Sequence, residues 1–358
     1  MSILSEHKKH FRLLIAAYIF ALGILTLPAS AVCAGEFLVY SQESKCPDGT
    51  PSRKIMIASM SDDGVTTRGI LSKEGYRYLS PTIAPSGKMV AYSRGSSGKA
   101  LGIFLQRLDH LGNADGDVVP VTPMNATAIH PRFSGDSTMI AYSTDEVDST
   151  NSADAADPTN PAGPANPAKP TAQNTRRIAI KNVKKAEEHG IALTSAPVQF
   201  IPSEFPAFEP TLNFDGSQLV YAVAGVGGRY HLVHVDLTTN TQTRLATRGV
   251  SATMPAFSRD GEIIAYTYKE GSNWHIALLD LATGESSPAT SGPSQNQGPA
   301  WTADGSLIYT AALDGDFNIH LISASSLHDG TLASELLFDG EGRISYPSVG
   351  GNMEHAFP

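Results

Sequence analysis

The stretch Pro255-Ala256-Phe257-Ser258-Arg259-Asp260-Gly261-Glu262-Ile263-Ile264-Ala265-Tyr266 joins a proline-led apolar segment to an Asp-Gly turn and a second apolar segment closed by tyrosine. The same phrase returns along the chain. Copies stand at Pro81-Thr82-Ile83 with Ser86-Gly87, Pro131-Arg132-Phe133 with Gly135-Asp136, and Pro210-Thr211-Leu212 with Asp215-Gly216. Two more are Pro299-Ala300-Trp301 with Asp304-Gly305 and Pro347-Ser348-Val349 with Gly350-Gly351. Five copies end in a tyrosine, Tyr92, Tyr142, Tyr221, Tyr266 and Tyr309, at a Pro-to-Tyr offset of 11, 11, 11, 11 and 10.

The anchor prolines step by 50, 79, 45, 44 and 48 residues. Apart from one long interval, this is the spacing of roughly 40–50 residues expected of four-stranded propeller blades. Glycine after aspartate supplies the positive φ of a tight hairpin turn. Proline suits the first residue of a strand, where no ladder donor is needed. Each unit therefore reads as strand A beginning at the proline and strand B ending at the tyrosine. Strand C is an apolar run such as Trp274–Leu279, and a short strand D ends near Val121-Thr122 or Leu193-Thr194. The expected fold is all-β: a six-bladed propeller of antiparallel blades over residues 35–358. The C-terminal copy supplies one blade's strand A, and Phe37–Ser41 or His355–Phe357 supplies its strand B. The two chain ends thus close the ring and remove the open edges of the sheet array.

The phrase at Pro255–Tyr266, with Phe257, Ser258, Asp260, Gly261, Ile264 and Ala265 in place, resembles the WD40-like PD40 repeat of the periplasmic TolB-like propeller family. The likeness runs from about residue 36 to 358. TolB proper carries an α/β domain before its propeller, and this reading of the chain leaves no room for one. The resemblance implies an envelope location and the binding of another envelope protein, a Pal-like lipoprotein being one candidate.

Residues 1–34 have the build of a cleaved signal peptide. Lys8, Lys9 and Arg12 precede an uncharged run from Leu13 to Leu27, too short for a typical membrane span, and Ala31 and Ala34 are alternative cleavage points. The expected location is periplasmic or secreted, with no transmembrane span in the mature chain. Cys33 pairs with Cys46 only if cleavage follows Ala31, and in neither case is this a disulfide-built fold. The chain's net charge is −9; residues 1–34 carry +2, which leaves −11 on the remainder. An acidic exported protein is a poor partner for nucleic acid or anionic lipid.

The segment from about 145 to 175 interrupts the blade that starts at Pro131. It is rich in Ala, Asp, Asn, Thr and Pro and too poor in large apolar residues to fold alone. Pro158, Pro161, Pro164, Pro167 and Pro170 recur at every third residue, the period of polyproline II. No aromatic or arginine decorates them, which favours a stiff spacer over a docking rod.

Candidate binding residues are those around the anchor prolines, where propellers expose the channel mouth: Ser80, His130, Arg132, Glu209, Met254 and Tyr346. His130, Arg132 and Glu209 form a mixed polar set suited to a peptide terminus or carboxylate. His231 and His234 lie three apart on a strand and point to opposite faces, so they cannot share a metal. His231 and His275 each precede an aspartate by five residues, Asp236 and Asp280, which assigns them a repeated structural place. Asp314–Asn318 has calcium-like spacing but lacks the downstream bidentate acid. No Gly-x-Ser-x-Gly elbow and no nucleotide-binding glycine motif occurs, so no catalytic residue, cofactor or metal is assigned. The expected function is non-enzymatic binding of an envelope protein by a monomeric scaffold. The alternatives are a metal-dependent propeller enzyme acting on a carbohydrate or lactone, and a purely structural propeller.

Overall fold

The computed structural model describes residues 35–45, 51–61, 64–73, 75–96, 100–146, 176–313, 316–340 and 342–351. The leader with Cys33, Cys46, most of the Pro-rich insert, Asp314-Gly315 and the strand candidate His355–Phe357 lie outside them.

Six antiparallel sheets of four strands are present, one per blade. Blade 1 holds β1 (Glu36–Lys45), β2 (Pro51–Ser61) and β3 (Gly64–Ile70). Blade 2 holds β4 (Tyr76–Ile83), β5 (Met89–Ser96), β6 (Gly102–Leu108) and β7 (Ala114–Pro120). Blade 3 holds β8 (Ala128–Phe133), β9 (Met139–Thr144), β10 (Arg177–Asn182) and β11 (Gln199–Ile201). Blade 4 holds β12 (Ala207–Leu212), β13 (Gln218–Ala224), β14 (Tyr230–Asp236) and β15 (Thr241–Arg244). Blade 5 holds β16 (Ala252–Phe257), β17 (Ile263–Glu270), β18 (Asn273–Asp280) and β19 (Ser286–Pro288). Blade 6 holds β20 (Gln295–Trp301), β21 (Leu307–Leu313), β22 (Asp316–Ile322) and β23 (Ser334–Phe338). The last strand, β24 (Arg343–Gly351), returns to blade 1 and pairs with β1, so Phe37–Ser41 is the strand B that closes the ring.

The apolar residues form six clusters, and each lies between two neighbouring blades. Leu38, Tyr40 and Ile344 of blade 1, for example, meet Ile308, Ile319 and Leu321 of blade 6. The same packing joins blades 2 and 3 through Ile103, Leu105, Ile140 and Tyr142. Each blade thus buries both faces against its neighbours, which is how four short strands acquire a core. The repeated tyrosines stand inside strand B rather than at its end. All six, Tyr40 included, are at most 3% exposed. Two of the hydroxyls reach the outer strand, Tyr266 to Ser286 Oγ at 2.6 Å and Tyr309 to Ser334 Oγ at 2.6 Å, whereas that of Tyr142 has no partner among the described residues.

The A–B turns follow from their sequence. Ser258 Oγ donates to Asp260 Oδ1 at 2.5 Å, Ile263 N donates back to Ser258 Oγ at 2.9 Å, and Gly261 takes φ 78°. The copy after Pro131 differs from the expected Gly135-Asp136 turn. The left-handed residue there is Ser137, at φ 63°, and Gly135 is instead a close-packing glycine. A Cβ on Gly135 would lie 2.6 Å from Phe214 Cα. Gly350 and Gly351 are not a turn either; they extend β24, and a Cβ on Gly350 would meet the Ala84 carbonyl oxygen at 2.2 Å. Leu193-Thr194 belongs to a single 3-10 turn, Leu193–Ser195, and blade 3 takes β11 as its outer strand.

Candidate functional site

The anchor prolines do not start strand A. Each sits inside it, three to five residues after the first, and the residue three before each proline is buried: Tyr78, Ala128, Ala207, Ala252, Asn296 and Ile344. At the proline the pairing to strand B skips. In blade 5, Thr253 faces Thr267 while the next pair is Ala256 with Ala265, and all six blades show the same bulge. A bulge leaves two residues unpaired, and proline, which has no N–H to offer, tolerates that place. The preceding residues, Ser80, His130, Glu209, Met254, Gly298 and Tyr346, all adopt positive φ between 48° and 63°. For the five that are not glycine this left-handed conformation costs about 1–2 kcal/mol each. The left-handed residue recurs with the bulge, at the same place in strand A of every blade.

They do converge. The His130 and Tyr346 rings, on blades 3 and 1, approach to 6.0 Å across the place of Ser80 on blade 2. A Cβ on Gly298 would stand 3.7 Å from Pro347 Cδ and 3.9 Å from Met254 Sδ. Glu209 bridges to blade 5: its Oε2 accepts from Met254 N at 2.9 Å and from the Thr253 hydroxyl. Arg132 donates to the Pro131 carbonyl at 3.0 Å. His130 and Arg132 keep some accessible surface because the channel is hollow, yet protein surrounds them on every side. Burial pushes His130 down to about 4, with Arg132 and Arg176 acting in the same direction and Glu209 against it, so His130 is neutral at physiological pH. Burial likewise lowers Arg132, opposed by Glu209, and raises Tyr346. Ser80 opposes the Tyr346 shift, and its Oγ has no hydrogen-bond partner of ordinary geometry among the described residues.

On the turn side of this belt the channel widens into a cavity of about 160 Å³. The residue after the proline (Thr82, Arg132, Thr211, Ala256, Ala300 or Ser348) lines it in every blade, with Phe133, Phe257 and Trp301 as aromatic wall. Glu36 lines the same cavity. It is 3% exposed; Oε1 accepts from Ala303 N at 2.8 Å, and Oε2 has no partner among the described residues. Burial raises its pKa to about 7, assisted by Asp304 and opposed by the Ala303 hydrogen bond and Arg259. Nothing in the repeat pattern marks Glu36, since it belongs to the strand completed from the other chain end.

Antiparallel strands place the D–A and B–C loops on the opposite face. On that face three neighbouring blades expose large apolar side chains that the repeat reading did not single out. Met124, Phe205 and Val250 stand in the loops before β8, β12 and β16 and are 67%, 48% and 54% exposed; Val226, between β13 and β14, is 91% exposed. Arg176 lies 5.6 Å over the Phe208 ring, which meets Tyr230 edge-on at 5.9 Å. Exposed hydrophobicity was the available signal, hidden because isolated loop residues carry no period.

His231 and His275 occupy matching places, opposite Val223 and Tyr268 in their blades. Among the described residues no group of three His, Cys, Asp or Glu side chains is placed to hold a metal. Nor is any helix among them long and apolar enough to cross a membrane.

No family model and no curated protein sequence matches the chain. Solved structures do. TolB from Acinetobacter baumannii superposes with a TM-score of 0.62 at 17% identity, covering 93% of this chain and 70% of that one. A putative TolB from Agrobacterium tumefaciens gives 0.54 at 12% identity, covering 90% and 99%. A chain of a nidogen–laminin complex gives 0.61 at 9% identity, covering 89% and 99%. At these identities the likeness is one of fold: the protein has the six-bladed propeller architecture of the TolB structures.

Proposed function

We propose that this chain is a non-enzymatic binding propeller of the cell envelope, periplasmic or secreted, that docks another envelope protein on the face formed by its D–A and B–C loops. The observation that carries the reading is the set of exposed apolar residues Met124, Phe205, Val226 and Val250 on that one face of blades 3 to 5. Large exposed apolar side chains gathered on one face are a common mark of an interaction site. The polar belt of His130, Arg132, Glu209 and Tyr346 lies deeper in the channel, where an inserted loop or chain end of the partner meets charge after passing the apolar rim. Rigid aromatic and arginine groups such as Phe208, Tyr230 and Arg176 are the side chains that most often dominate such interfaces. A Pal-like lipoprotein is the partner class that the TolB resemblance suggests.

The test is capture from detergent-solubilised envelope proteins by the immobilised chain, repeated with a Phe205→Asp/Val226→Asp double variant. A specific partner retained by the unaltered chain and lost by the variant is expected. Capture indifferent to both substitutions, with the variant folded, would sink the docking face.

A further inference from the structure

A cleft of about 660 Å³ runs along the seam between blades 5 and 6, from the β19–β20 loop to β23, and none of its groups belongs to the docking face. That is the size of a site for a small organic ligand. Among the described residues no Asp, Glu, Lys or Arg lines it; amides, hydroxyls and one imidazole do, with small apolar residues between them. The repeat shows what is unusual here. Three residues before the anchor proline the other blades carry Tyr78, Ala128, Ala207, Ala252 and Ile344, where blade 6 carries Asn296. Opposite the strand-B tyrosine they carry Met56, Phe104, Ala179, Val233 and Ala277, where blade 6 carries His320. Two residues after that tyrosine blade 5 buries Tyr268, where blade 6 has only Ala311. Blade 6 has exchanged bulk for polar groups on one face.

Those groups stand together. Asn296 and Asn318 are the direct partners of Ala311 on its two sides, and His320 follows Asn318 by two residues on β22. Cross-strand partners share a face, so the three side chains project into the cleft from backbone positions within about 10 Å, two strand spacings. Their bonding is incomplete. Asn296, only 2% exposed, accepts at Oδ1 from Ser294 Oγ at 3.1 Å, and His320 Nδ1 meets Ser334 Oγ at 3.4 Å. The Nδ2 of Asn296, the Nδ2 of Asn318 and the Nε2 of His320 have no hydrogen-bond partner among the described residues, and none of the three is sealed from solvent. Asn318 Oδ1 is sealed and unpartnered, a cost that no packing role of this side chain explains. Burial lowers the His320 pKa, so the imidazole is neutral at physiological pH and both donates and accepts.

We propose that this cleft binds a neutral oligosaccharide, with ring hydroxyls on Asn296, Asn318 and His320 and the hollow above Ala311 taking a sugar ring. Hydroxyls donate and accept at once, which suits a lining of amides, hydroxyls and a neutral imidazole. A nucleotide, a lipid headgroup or a peptide terminus brings a charge that this lining leaves unmatched.

The test is an array of neutral, uronic-acid, sulfated and phosphorylated oligosaccharides probed with the protein in the processed form the cell accumulates, followed by calorimetric titration of the best neutral trisaccharide and its constituent monosaccharide. Saturation of one site by the trisaccharide is expected, with the monosaccharide at least about tenfold weaker because it reaches fewer of the three groups. Asn318→Leu should weaken trisaccharide binding about tenfold or more while leaving the melting temperature unchanged or higher, since it removes a sealed, unpartnered oxygen. Ala311→Tyr, which restores the bulk of blade 5, should abolish binding. Binding to no member of the array, or to charged glycans alone, would overturn the proposal. So would an Asn318→Leu variant that binds as well as the parent. Should either variant fail to fold, the other and the array still decide.

Discussion

Glu36 keeps its proton to about pH 7 because burial penalises the carboxylate more than the Ala303 hydrogen bond and Arg259 reward it. Its unfolded counterpart ionises near 4.3. The folded pKa is therefore the higher one, and between the two values the folded state holds the extra proton. Stability contributed by that proton is complete below about pH 4, drains away as pH rises, and is gone above about pH 7. Replacing Glu36 with Gln removes the titration while keeping the acceptor. In urea titrations the variant should match the parent at pH 4 and exceed it by roughly 3 kcal/mol at pH 8. Equal stability of the two proteins at both pH values would mean that Glu36 ionises normally and that the cavity does not desolvate it. No sequence pattern distinguishes this glutamate from a surface one. Its burial depends on Gly351, whose missing Cβ leaves room 2.6 Å from Glu36 Cα, more than 300 positions away in the chain.

The legible and illegible parts of the pattern divide by range at the level of the strand. Asp-Gly turns and the strand-B tyrosines answer to local chemistry, so they are visible at fixed offsets in the chain. The bulge at each proline answers to the register between strands A and B, and six prolines in phase suggest six strand starts just as well as six interruptions. Ser80, His130, Arg132, Glu209, Met254 and Tyr346 belong to the interior of a strand and not to its entrance. Blade 3 departs most from the pattern. Its strand β10 carries Lys181, wholly buried, whose Nζ donates to the Val121 carbonyl at 2.9 Å and the Leu193 carbonyl at 2.7 Å. It thereby ties β10 to the loop that follows β7 and to the 3-10 turn standing where a strand D end was expected. Burial lowers its pKa and Glu146 opposes that shift. Lys181→Met fills the space yet takes the donor from the buried Val121 carbonyl, while the Leu193 carbonyl keeps Ala196 N at 3.3 Å, so it should destabilise the protein by about 1–3 kcal/mol. A change below about 0.5 kcal/mol in chemical denaturation would show that the Val121 carbonyl finds another donor.

Closure of the ring is a property of the whole molecule, and it can be set against the one long insertion. β24 supplies the inner edge of blade 1 by pairing with β1, and it also reaches blade 2: Ser348 Oγ accepts from Ile83 N at 3.1 Å, and Gly351 N donates to Pro85 O at 3.0 Å. Removing residues 343–358 would bare the β1 edge and take Ile344 from the core shared with blade 6. In a ring each blade is held by two neighbours, so a loss at the closing blade loosens blades 6 and 2 as well. The insert stands in the opposite position. Thr144 and Arg177 are direct partners in the β9–β10 ladder, so the chain leaves and re-enters the blade at one point. Asn-Gly in place of residues 147–175 leaves the three-residue loop Glu146-Asn-Gly between Asp145 and Arg176, a common hairpin length that can join those strands without altering their register. Melting followed by circular dichroism should therefore fall by on the order of 10 °C or more for the terminal deletion and stay within about 2 °C for the loop replacement. The reverse order would mean that the propeller is held by its insertion and that the strand contributed by the chain's end is dispensable.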